Sequence, residues 1–260
     1  LNANTTGANN TGLGWQALTA NTTASNNTAV GSLSLLANTT GNQNTALGSI
    51  SLCANTTGDF NTAVGEKSMI GVNTGDSNAA FGQGSLRCNT SGCFNTASGA
   101  AALAANTTGC ENTAVGKDAM LATTTGIRNV AIGKGALKTN TTGDANVAIG
   151  REALGVATTA DNNTSVGFDS LTANTTGDNN VAVGMNTMLA NTTGVNNTAI
   201  GQGALRCNTT ANENTVVGMN ALRVNTTGAF NTVVGKNSLV TNTTGQKNTS
   251  IGFEAGYNIT

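Results

Sequence analysis

Glycine returns at every seventeenth residue from Gly14 to Gly252, fifteen times without a slip. Each interval reads approximately Ala-Asn-Thr-Thr-Gly-x-x-Asn-Thr-Ala-Val-Gly-x-x-Ala-Leu-x. An unbroken period of this length restricts the chain to stacked coils, each burying its apolar side against its neighbours. The predicted fold is all-β: a parallel β-solenoid, or β-roll, of fifteen 17-residue coils, with residues 1–260 forming a single repeat domain. The sequence begins at Leu1 and stops in mid-repeat, which reads as a section of a longer fibre without caps.

A low-complexity polar chain could share this composition, but it would have no reason to hold apolar residues in phase. Leu or Met follows the repeat glycine by four residues at Leu18, Leu35, Leu52, Met69, Leu86, Leu103 and Met120, and only the last copy, with Gly256, departs. Charged residues make up 9% of the chain, with a net charge of -1 and no basic cluster interleaved with aromatics, so nucleic acid is not an expected partner. No run of apolar residues is long enough to span a bilayer.

Two short strands per coil are expected. The first is Asn-Thr-Ala-Val-Gly, which recurs as Asn-Val-Ala-Ile-Gly at 129–133 and 146–150. Strand alternation places Thr/Val and Val/Ile on one face and the intervening Ala on the other. The second runs through Leu and a variable position into Ala-Asn-Thr-Thr; Arg87, Lys138, Arg206 and Arg223 at the variable position put that face in solvent. Leu and the strand valines, Val183 among them, are therefore read as inward, and the Ala row (Ala29, Ala46, Ala63, Ala80, Ala97, Ala114, Ala131, Ala148) as an outward small-residue face suited to a second copy. Glycine supplies positive φ at the corner after Thr-Thr, with Ala24, Ala160 and Ala211 in three copies. Asn precedes every first strand from Asn10 to Asn248 and is expected to form a ladder.

The run Asn-Val-Ala-Ile-Gly followed two residues later by Ala, at 129–136 and 146–153, resembles the head repeat of YadA-like trimeric autotransporter adhesins. The whole unit also resembles repeats in tail-fibre-domain proteins. The resemblance covers all fifteen copies, although the 17-residue period is longer than the usual adhesin head repeat. It implies a left-handed roll, three chains per head and surface attachment. The expected role is an extracellular structural fibre segment at a cell surface or on a virion, self-associating as a homotrimer, with a host-surface or glycan receptor as a further partner.

The chain has no His, and its carboxylates fall on variable corners, so neither catalysis nor a cofactor or metal is expected. Asn-Thr-Thr or Asn-Thr-Ser stands at one repeat position in twelve copies: Asn4, Asn21, Asn38, Asn55, Asn89, Asn106, Asn140, Asn174, Asn191, Asn208, Asn225 and Asn242. Alternation puts these on the outward face as N-glycosylation candidates. The alternative is that they serve the turn and ladder, since glycans at every step of about 4.8 Å would crowd one another. Repeated Thr columns also suit a water- or ice-ordering surface, against which stands the inward reading of the strand Thr. Asp59, Asp76, Asp144, Asp161 and Asp178 share one corner position, as turn formers or as Ca²⁺ ligands. Cys93 and Cys110 occupy that same corner in adjacent coils, about 4.8 Å apart, within disulfide range. Cys88 and Cys207 read as buried free thiols.

Overall fold

The computed structural model describes residues 2–257. The chain divides into two compact units, residues 1–128 and 129–260. The first contains β1 to β7, at Thr11–Leu13, Thr28–Val30, Thr45–Leu47, Thr62–Val64, Ala79–Phe81, Thr96–Ser98 and Thr113–Val115. These strands pair in chain order, all parallel, with each residue opposite the one seventeen positions later, as Ala46 opposite Ala63. The second contains β8 to β15, at Val130–Ile132, Val147–Ile149, Thr164–Val166, Val181–Val183, Thr198–Ile200, Thr215–Val217, Thr232–Val234 and Thr249–Ile251, paired in the same way. Each unit is a parallel β-solenoid, and no helix occurs among the described residues.

Each coil carries one strand, not two. The segment around Leu or Met turns because that residue takes positive φ, 49° at Leu52 and 48° at Met188. This conformation is costly for a branched or bulky side chain. It is held by bonds to both sides: Leu52 N–H donates to Ser68 O of the next coil at 2.9 Å, and Leu52 O accepts from Asn55 N–H at 3.2 Å. Two further positions per coil, held here by Ile50 (58°) and Phe60 (59°), have the same backbone hand. The repeat glycines lie near φ +130°. A Cβ on Gly65 would stand 2.7 Å from the Gly82 backbone, so close coil stacking and conformation both require glycine there.

The interior of a coil is narrow. In the coil ending at Gly65 it is filled by Ser51, Leu52, Asn55, Gly58, Asn61 and Ala63, all buried. The corresponding set in the second unit is Thr187, Met188, Asn191, Gly194, Asn197 and Ala199. The strand alanines thus face inward, and their Thr and Val/Ile neighbours face outward, which reverses the expected assignment. Ala46, Ala131 and Ala182 are fully buried, whereas Leu47 and Ile132 are 47% and 40% exposed. Leu/Met already occupies the apolar centre and two Asn columns take most of the remaining width, so mid-strand holds a small side chain, Ala in most coils, Ser at Ser165 and nothing larger than Val at Val216 and Val233. Buried Ser51 and Ser68 remain satisfied by donating to the carbonyls of Gly48 and Gly65, at 2.9 and 3.0 Å.

The corner after Thr-Thr also differs from expectation. Gly41 and Gly58 do not have positive φ; the residue two places on, Gln43 or Phe60, does. Glycine is favoured there for space, since a Cβ on Gly58 would meet Gly75 O at 2.6 Å and Asn55 Oδ1 at 2.7 Å.

Candidate functional site

Two asparagine columns run through the interior of each unit and, where both keep Asn, converge on one carbonyl in the coil. Asn55 Nδ2 donates to Asn38 Oδ1 of the preceding coil at 2.7 Å and to Gly58 O of its own coil at 3.0 Å. Asn44, from the column that precedes the strands, donates to the same Gly58 O at 2.8 Å and accepts from Asn61 N–H through Oδ1 at 2.9 Å. In the second unit Asn208 and Asn197 converge in this way on Ala211 O, at 3.0 and 2.8 Å. Burial costs these four amides little because each is paired along the stack.

Eleven of the twelve N-glycosylation candidates therefore lie inside the coils. Asn21, Asn38, Asn55, Asn89, Asn106, Asn140, Asn174, Asn191, Asn208, Asn225 and Asn242 are fully buried, while Asn4 in the first coil is exposed. The outward assignment fails because alternation holds only through extended backbone, and the positive φ at Leu turns the chain before Asn is reached. A glycan at a buried position would require its amide to leave the ladder. Asn73 reinforces the point: it sits in Asn-Thr-Gly, one residue out of phase, yet bridges Asn55 Oδ1 and Gly75 O at 2.9 and 3.1 Å. The ladder stops where Thr123 replaces Asn, leaving Asn106 Oδ1 and Thr123 Oγ1 buried without a partner.

A third ladder explains the aspartates and two of the cysteines. At the corner, a side-chain acceptor takes the backbone N–H of the same corner one coil earlier. Asp59 Oδ1 accepts from Asn42 N–H at 2.6 Å, Asp76 Oδ1 from Asp59 N–H at 2.8 Å, and Cys110 Sγ from Cys93 N–H at 3.1 Å. In the second unit Asp161 and Asp178 accept from Asp144 and Asp161 N–H at 2.7 and 2.8 Å. Stacked carboxylates thus each engage a backbone donor. Among the described residues no group of three or more His, Cys, Asp or Glu side chains is placed to hold a metal ion.

Cys93 and Cys110 are free thiols, each donating to a carbonyl two residues back, Ser91 O and Thr108 O. Cys88 and Cys207 are also free, but half-buried instead of buried. Burial pushes the Cys53 thiol above its usual range. The Glu66 carboxyl is held below its usual range by the Lys67 ammonium 3.0 Å away.

The sheet surface of each unit is the most regular exposed feature. It presents a Thr column and a Val/Ile/Leu column on the outward sides of the same three-residue strands, as Thr45 and Leu47 or Thr198 and Ile200. No signal for this exists in a single coil, because Thr-Ala-Val reads equally well with either face inward. The first Thr of Asn-Thr-Thr turns its hydroxyl back to the stack, Thr39 Oγ1 donating to Thr56 O at 3.0 Å.

No protein-family model, curated protein or solved structure matches this chain. The likeness to adhesin heads and tail-fibre repeats rests on the repeat motif alone.

Proposed function

We propose that the chain is a segment of an extracellular structural fibre, the shaft or head of a surface adhesin or tail fibre, in which copies associate as a homotrimer through their sheet faces. The exposed apolar column is the observation that carries this reading. Leu47, Ile132, Ile149 and Ile200 are large apolar side chains open to solvent at the same repeat position, and apolar surface repeated in register suits an interface between identical chains. The row of strand alanines cannot serve, because it is buried within the coils. Variable corner residues would then contact a host surface or glycan receptor. Native mass by light scattering tests the proposal. Three chains are expected for the wild type and one after replacing Leu47, Ile132, Ile149 and Ile200 by Lys; a wild-type monomer at tens of micromolar would overturn it.

A second reading gains support from the outward Thr column. Hydroxyl and methyl groups from Thr and Val/Ile repeat at the strand spacing of about 4.8 Å on one face, a lattice suited to ordering water or ice. Freezing-point depression by micromolar protein would favour this role over the passive fibre.

A further inference from the structure

A hollow opens on the first unit, lined by residues outside the sheet strands. Its origin lies in the second residue after the repeat glycine, where successive coils place Leu33, Ile50, Lys67, Gly84, Ala101 and Asp118. Side chains larger than a methyl group stop at Lys67 and resume at Asp118, so two coils lack cover. The result is a half-open depression of about 470 Å³. Gly84 differs from the other glycines of its column. A Cβ on Gly135 would meet Glu152 Oε1 at 2.7 Å and one on Gly203 would meet Asn220 Oδ1 at 2.7 Å, because the next coil's side chain folds over each. A Cβ on Gly84 meets nothing within 4 Å.

The walls define the chemistry of an occupant. Ala100, Ala101, Ala104 and Leu121 supply apolar lining. Lys67 is paired with Glu66 at 3.0 Å, and Lys117 faces Asp118 at 4.0 Å. Arg87, an exposed residue also lining the hollow, takes part in neither ion pair, so its guanidinium holds the uncompensated charge. Its planar donors match a carboxylate in two-point contact. We propose that this hollow binds a carboxylated sugar, a hexuronic acid residue whose ring lies over the alanines while its carboxylate meets Arg87. The neighbouring ion pairs offer hydroxyl groups both donors and acceptors.

Glucuronate, its neutral methyl ester and glucose, titrated against the full chain by ligand-detected NMR, provide the test. Glucuronate is expected to bind and the two neutral sugars to bind at least about fivefold more weakly, as for loss of one exposed charge contact. Arg87→Ala should weaken glucuronate to the same extent. Ala101→Leu should abolish binding by filling the hollow with the charge left in place; Leu33 and Ile50 show that this column accepts large side chains at φ 59° and 58°. Arg223→Ala, at the same coil position as Arg87 but in the second unit, should bind like the wild type. Absence of glucuronate binding, equal binding by Arg87→Ala, or full binding by Ala101→Leu would each overturn the proposal.

Discussion

Asn44 and Asn55, from two different columns and two adjacent coils, donate to the same acceptor, the carbonyl oxygen of Gly58, at 2.8 and 3.0 Å. This corner is therefore locked from its own coil and from the one before.

This sharing predicts coupling. Asn44→Ala and Asn55→Ala should each cost about 1–3 kcal/mol, because each leaves buried partners unpaired. The double variant should deviate from additivity by at least about 0.5 kcal/mol, measured by urea unfolding. Strict additivity would mean that the two amides act independently.

Thr123 marks a repairable fault. Thr123→Asn restores a donor for Asn106 Oδ1, which lies buried without a partner. A gain of about 1–2 kcal/mol is expected, visible as a higher Tm. Destabilisation would show that the corner has relaxed around Thr.

The direction of the strand faces can be read from one adjacent pair. Ala182→Asp buries a charge in the fully enclosed column and should cost at least about 4 kcal/mol or prevent folding. Val183→Asp, on the outward face, should cost no more than about 1 kcal/mol in the isolated chain. Comparable losses in thermal unfolding would contradict the inward Ala assignment.

Glycine columns should differ in tolerance. Ala already stands in the corner column at Ala24, Ala160 and Ala211, so Gly58→Ala is expected to cost about 1 kcal/mol despite the close contacts. Gly65→Ala meets both a φ of +126° and the Gly82 backbone, and should cost at least about 3 kcal/mol by denaturant titration. Equal costs would indicate that coil spacing relaxes freely.

The period, the parallel stack and the inward Leu/Met column were legible because they depend on spacing and on which positions admit charge. The strand face was misread for a reason of size. Val buries more area than Ala, but the inward strand position lies between Leu/Met and the Asn columns and takes at most a Val, as at Val216 and Val233; that width belongs to the closed coil, and no single segment reveals it. The buried sequon asparagines were misread because alternation was carried through Leu52, where φ +49° breaks it. A clue did exist in the sequence: Asn73 keeps its asparagine after losing the sequon. The hollow at Gly84 could not be foreseen, since it depends on whether a side chain one coil away folds over a glycine.

The ladders join like to like, one coil to the next, and this frees the chain from a fixed size. Asn38 meets Asn55, Asp59 meets Asp76, and Ala46 lies opposite Ala63. Insertion or excision of one whole coil within a unit presents its neighbours with the partners they already had. Length can thus drift by duplication without inventing new contacts, while an insertion of any other size puts every later column out of step.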